Sequence, residues 1–313
     1  MRRNTLILGV VLVMAVLFLS SCASESKCGS MKTKCDMKAK EKCCAKEKAH
    51  CDKKAKAKCG KEWKSCQWRL GIQCWTFNRY SLFEAIDKAS GLGLKYIEAY
   101  GGQKLSPENP DVKFGHEMPV KYRAQVKKKL KAAGLTLTNY GIVGLSNDEK
   151  QCREVFDFAK DMGIETIGSE PSEESLDMID RLAQEYEINV AIHNHPKPSH
   201  YWDADTVLNA CKGRSKYIGA CADTGHWVRS GLDPIEMIKK LEGRIISFHF
   251  KEMDDDHDVI WGTGKNRVGP ILKELRRQNF AGVFSIEYEY KWENNLPEIE
   301  KCIEYFNKVK AEL

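Results

Sequence analysis

The stretch IGACADTGHW (residues 218–227) opens on an apolar run and ends on an acid, a glycine and a histidine. A short apolar run bounded by a turn residue suits a buried strand of a parallel sheet. The same pattern repeats on either side, in NVAIHNH (189–195), IISFHFKE (245–252) and VFSIEYEY (283–290). Towards the N-terminus, LGIQCWTF (70–77), KYIEAY (95–100), LTLTNYG (135–141) and ETIGSE (165–170) complete eight strand candidates. Between them lie helical patterns such as SLFEAIDKASGLGL, KYRAQVKKKLKAAGL, KQCREVFDFAKDMGI, ESLDMIDRLAQEYEI, DPIEMIKKLEGR and GPILKELRRQNF. Several carry a Gly near their end, as helices do when they stop before the next strand. Eight βα units in the about 245 residues from Arg69 to Leu313 predict an α/β fold, a (β/α)8 TIM barrel over 68–313. The rival, an open doubly wound sheet, lacks its fingerprint: no GxGxxG follows the first strand.

On the last four strands, His193, His195, Asp223, His249, Lys251, Glu287 and Glu289 fall at or just beyond the C-terminal halves, the catalytic face of a barrel. Side chains alternate along a strand, so residues two apart share a side, and if Ala191 and Ser247 point inward so do His193 and His249. Two imidazoles with an Asp and a Glu converging in a barrel interior leave unpaired charge unless a cation compensates. A mixed N/O set of this kind suits one divalent ion, Mn, Co, Zn, Ni or Fe, with His193, Asp223, His249 and Glu287 as ligands. Each histidine alone also reads as an ordinary core residue; it is their coincidence on successive strand ends that points to metal.

The motifs ADTGHW, SFHFKE and SIEYE resemble the xylose isomerase-like superfamily of TIM barrels, which includes sugar phosphate isomerases and epimerases, and the resemblance spans 69–313. It implies metal ligands at Asp223, His249 and Glu287. At the next ligand position the family's epimerases carry a Glu, where AIHNHP places His193. An imidazole replaces the ligand, but a metal-bound His usually donates from its other nitrogen and is a poor second base. Candidate bases are Glu170, His195, Glu289 and Lys251, with Glu170 preferred as a carboxylate one strand from the metal set; its bland alternative is an ion pair at the rim. Glu287 and Lys251 join Glu170 as catalytic candidates. His195, His226, Glu98, Trp75 and Glu289 are candidate substrate contacts, with Tyr100 and Trp202 beside Trp75 as stacking walls for a sugar or as plain packing. The GTG at 262–264, near Lys265 and Arg267, reads either as a turn or as a backbone cradle for phosphate.

The expected chemistry is isomerisation or epimerisation of a sugar or sugar phosphate, by proton transfer through a metal-stabilised enediolate. A lyase or hydratase acting on a keto-sugar is the alternative within the same site, and a non-catalytic sugar- or metal-binding lipoprotein the alternative of another class. An abasic-site endonuclease would need histidines on the third and fourth strands, and TLTNYG and ETIGSE contain none.

Upstream of the barrel, Arg2 and Arg3 precede an apolar run from Leu6 to Leu19 that is short for a membrane span and suits a signal peptide over 1–21. It ends Leu19-Ser20-Ser21-Cys22, which resembles a bacterial lipobox and implies lipidation at Cys22, hence a membrane anchor and a cell-envelope location. Residues 22–67 are rich in Lys, Ala and Cys and poor in large aliphatics, the composition of a tether. Its seven cysteines from Cys28 to Cys66 suit disulfides or a soft-metal sink. The formal charge of +6 divides into about +2 for the signal segment, about +8 for the tether and near −4 for the barrel, which excludes a nucleic-acid footprint on the folded part.

Overall fold

In a computed structural model, residues 68–313 are described; the expected signal peptide, tether and lipidated Cys22 lie outside them. The barrel strands are β1 (Arg69–Gln73), β2 (Tyr96–Ala99), β5 (Thr136–Tyr140), β6 (Thr166–Ser169), β7 (Asn189–His193), β8 (Ile218–Asp223), β9 (Ile245–Phe250) and β10 (Val283–Ile286). They pair in parallel around a closed ring, β10 against β1 completing it. A small antiparallel hairpin, β3 (Lys104–Ser106) with β4 (Asn109–Lys113), is inserted after β2. Its short, polar strands carry no apolar alternation, and the sequence pattern gives no sign of it.

Helices α1 (Leu82–Gly91), α2 (Val120–Ala133), α3 (Glu149–Met162), α4 (Leu176–Tyr186), α5 (Ala204–Cys211), α6 (Thr224–Arg229), α7 (Pro234–Lys240), α8 (Val268–Arg277) and α9 (Leu296–Glu312) connect the strands or follow them. Their starts follow capping chemistry: Ser81 and Glu84 form a reciprocal capping box on α1, and Asp148 accepts from Lys150 and Gln151 N–H on α3. Gly134 and Gly163 end α2 and α3 in the left-handed conformation, as the sequence predicts. Helix α4 instead stops on Glu187 at φ 56°. Among the described residues no helix is long and apolar enough to cross a membrane.

All eight predicted strands exist, each ending one to four residues short of its sequence-read limit. After β7, β9 and β10 the residues beyond the last ladder pair are mostly polar, whereas after β1 the chain turns through a short 3-10 helix at Cys74–Phe77. Alternation along β9 is as expected. Phe248 and Phe250 face outward into an aromatic cluster with Phe280, Phe284, Trp261 and Phe306, while Ser247 and His249 share the other side. In register, Asp223 stands opposite His249, and His249 opposite Ser285, so three strands deliver polar side chains at one level of the barrel.

Candidate active site

At that level two buried histidines face one another, with ring centroids 4.8 Å apart. His249 places Nε2 2.9 Å from Glu98 Oε1, and Glu98 is held in turn by Ser285 Oγ at 2.5 Å. The other nitrogen, Nδ1, lies 3.1 Å from Glu287 Oε2 but off the hydrogen-bonding direction, and so is buried without a partner. His193 repeats the arrangement: Nδ1 is 3.0 Å from Glu170 Oε1, and Nε2 is buried and unpartnered 3.5 Å from Asp223 Oδ2. Each imidazole thus has one nitrogen on a carboxylate and leaves the other exposed to a shared space with Asp223 and Glu287. A metal-ligating histidine is oriented in this way. His193, Asp223 and His249 offer ligand atoms all within 4.8 Å of one another. The residues therefore fit a divalent ion, with Glu287 Oε2 beside them.

A fixed cation is already present. Lys251 Nζ, fully buried, donates to Asp223 Oδ2 at 2.7 Å and Glu287 Oε2 at 2.5 Å, with Glu289 Oε2 at 3.3 Å. Burial opposes its charge, but these carboxylates outweigh burial and hold its pKa well above the usual lysine range. The converse holds for Glu287, whose carboxyl lies well below the usual range despite burial, chiefly because of Lys251. Asp223 is likewise lowered against burial, with His226 and Lys251 beside it. Burial pushes His226 itself down to about 2, so its ring is neutral and Lys251 is the charge that acts on Asp223. His249 rises against burial, favoured by Cys221 and by the Glu98 and Glu287 carboxylates.

The loop chemistry explains how these groups are placed. Asp223 is the N-cap of α6, its Oδ1 accepting from His226 N–H at 2.8 Å, and Asn194 clamps its backbone through both amide atoms. Gly225 is required there, because a Cβ would stand 2.8 Å from Lys251 Cδ. Arg229 Nη1 donates both to His226 Nδ1 at 2.9 Å and to Glu289 Oε2 at 2.8 Å.

A cavity of about 350 Å³ opens above this cluster, lined by Gln73, Trp75, Tyr100, Gly101, Gly141, Ile142, His193, His195, His226, His249, Glu287 and Glu289. Trp75, 42 % exposed, meets Tyr100 edge-on at 5.1 Å to form the apolar wall. His195 stands at the mouth, half exposed, with Nδ1 hydrogen-bonded to Glu170 Oε1. That bond raises the imidazole pKa against the burial that would lower it. For Glu170, burial acts upward, but the bonds from His193 and His195 outweigh it and hold the carboxyl well below its usual range.

Several sequence expectations change. Glu98 does not line the cavity; it is buried as the partner of the His249 ring, held there by Ser285. Lys251 also lies outside the lining, and as a permanently charged ammonium among three carboxylates it cannot serve as a base. The Glu170 carboxylate, shared by His193, His195 and Ser199, is likewise engaged rather than open to substrate. Trp202 is outside the cavity, under the Lys197 ammonium at 3.9 Å. The GTG amides are occupied: Gly262 and Gly264 N–H donate to the buried Glu252 carboxylate at 2.6 and 2.8 Å, leaving no cradle for phosphate. Sequence reasoning missed Gln73, Asn194 and Arg229. Of these only Arg229 left a signal, its i,i+3 spacing from His226 on α6.

The Xylose isomerase-like TIM barrel family matches residues 86–309. A crystal structure of an uncharacterized protein from Parabacteroides distasonis ATCC 8503 is 36% identical, with TM-score 0.65, covering 77% of this chain and 99% of that one. A D-tagatose 3-epimerase-like protein is 19% identical, with TM-score 0.60 over 78% of this chain and 99% of its own. A xylose isomerase-like TIM barrel protein from Mycobacterium smegmatis, solved in complex with magnesium, is 13% identical, with TM-score 0.62 over 79% and 98%. No curated protein matches.

Proposed function

The chain belongs to the xylose isomerase-like TIM barrel family, and from that premise we propose that it is a divalent-metal-dependent isomerase or epimerase of free sugars. The observation that carries the proposal is the pair of buried histidines, each anchored by a carboxylate and each aiming an unpartnered nitrogen at Asp223 and Glu287. His193 Nε2, His249 Nδ1, Asp223 and Glu287 would hold the ion, which supplies Lewis-acid polarisation of a sugar oxygen and so acidifies the neighbouring C–H. The magnesium complex and the epimerase-like protein among the similar structures support this reading.

The remaining steps fall to the chain's own residues. His195 keeps a proton on Nδ1 for Glu170 and turns Nε2 to the cavity, where it takes the proton from carbon and returns it. Lys251 fixes Asp223 and Glu287 without taking part in proton transfer. Trp75 and Tyr100 seat the apolar face of the ring. The loss of the GTG cradle to Glu252 favours unphosphorylated substrates. With Cys22 lipidated, the enzyme would meet such sugars at the cell envelope.

A lyase or hydratase reading has one observation in its favour. Glu289, the carboxylate that could act as a second base, is tied to Arg229 and Lys251. One available base suits isomerisation or elimination better than two-base inversion. Incubation of metal-loaded protein with keto-sugars in deuterated water tests both readings. Deuterium at a migrated or inverted carbonyl centre supports the isomerase, an unsaturated or hydrated product the lyase, and no exchange with any sugar refutes both.

A further inference from the structure

Beside the candidate active site lies a second and larger cavity, of about 660 Å³. Its walls are the loop that follows the β3–β4 hairpin, the start of α2 and the chain leaving β5 from Tyr140 to Gly144. The two cavities share Gly101 and Ile142 in their linings, so they are immediate neighbours on the face that carries the site. The junction is bare backbone on one side: a Cβ at Gly101 would stand 3.0 Å from Tyr140 Oη, which His116 Nδ1 holds at 3.2 Å. The lining sets the half-buried ring of Tyr122 beside the polar side chains of His116, Asp111 and Glu117, with Phe114 buried beneath against Tyr140 and Phe158. Apolar ring faces beside hydroxyl-binding groups suit a carbohydrate, whereas a lipid or aromatic ligand would leave those polar groups without partners. The first cavity, at about 350 Å³, stands near the lower limit for small-molecule sites, and a larger space adjoining it gives room for a larger ligand.

We propose that the second cavity is a sugar subsite, so that the substrate is a glycoside of at least two rings, with its reacting ketose unit above the histidines and its second ring against Tyr122 and His116. The inference rests on the isomerase reading for the identity of the reacting unit. The hairpin insertion then has a purpose, as the support of the outer wall.

The test compares D-fructose with the keto-disaccharides maltulose and lactulose, using the full metal-loaded chain and deuterium exchange as the readout. At least one disaccharide is expected to exceed fructose in kcat/KM by about tenfold, the equivalent of about 1.4 kcal/mol. Gly144 lines the second cavity with no atom within 4 Å of its Cβ position, so a side chain can be rooted there, and Gly144→Phe is chosen to obstruct the space. That variant should bring the ratio to about one, and Gly144→Ala should retain it. A wild-type ratio of one or below, or a ratio that Gly144→Phe does not change, overturns the subsite. If no sugar exchanges at all, it is the isomerase reading that fails, and saturation-transfer NMR with maltulose then decides the subsite. Transfer to both rings, lost from the glucosyl ring in Gly144→Phe, supports it; no transfer to the glucosyl ring of the wild type refutes it.

Discussion

At His249, a carboxylate from a distant strand fixes the ring before any ligand arrives, since Glu98 Oε1 takes Nε2 and leaves Nδ1 for the cluster. Glu98→Gln should therefore lower metal affinity by about 10–100-fold without removing a ligand. Chelator competition measures this, and an affinity equal to wild type would contradict the assignment. His195 is predicted to act differently, because it stands half exposed at the cavity mouth with its Nδ1 on Glu170. In His195→Asn, kcat should fall by about 10²–10⁴ while the bound metal, read by elemental analysis, stays the same. A parallel loss of metal would instead make His195 a ligand. At this scale the structure brings together the imidazoles and carboxylates that the sequence placed on one face. Sequence reasoning assigned Glu98 and Lys251 the wrong duties because strand spacing says which residues share a side, not how deep each reaches or what it meets across the barrel.

The element that most departs from its sequence reading is the loop after β9. Glu252, next to Lys251, turns away from the site and binds Gly262, Gly264 and, more weakly at 3.4 Å, Val268 through their backbone N–H groups, including the start of α8. Removing that carboxylate leaves buried donors unsatisfied, so Glu252→Ala should cost about 2–3 kcal/mol in urea denaturation. Amide exchange across 262–268 should rise in the same variant. Unchanged exchange there would show that the loop holds without its buried acid. A Gly-x-Gly sequence cannot reveal whether its N–H groups await an anion or already have one. The partner here is ten residues upstream, and only the chain's path brings it back.

For the molecule as a whole, the buried polar layer makes stability depend on pH in a traceable way. Burial pushes Asp258 up to about 7, although Lys251 and the Glu289 N–H work against the shift. The unfolded chain releases this proton from about pH 3.8 upward, while the folded protein keeps it until about pH 7. Between those values the folded state binds more protons, so this residue's contribution falls as pH rises and is level above 7. Asp258→Asn should remove the slope, matching wild type near pH 4 and exceeding it at pH 8 by up to about 4 kcal/mol. Thermal melts across that range check the sign; a variant less stable at pH 8 would mean that the charged form is the one the network needs.

The sequence by itself determined the closed parallel barrel and the strand ends where its chemistry gathers, because apolar periodicity and helix stops are local and are written in neighbouring residues. It also supplied the imidazoles and carboxylates that meet at the ends of β7 to β10. Only the tertiary structure decided which nitrogen of each histidine is free, that Lys251 lies among the carboxylates, that Glu252 fills the glycine loop, and that a second cavity adjoins the first. Those outcomes depend on distances between groups far apart in the chain, such as the 151 positions separating Glu98 from His249. Electrostatic and hydrogen-bond energies follow the distance in space, on which sequence spacing is silent.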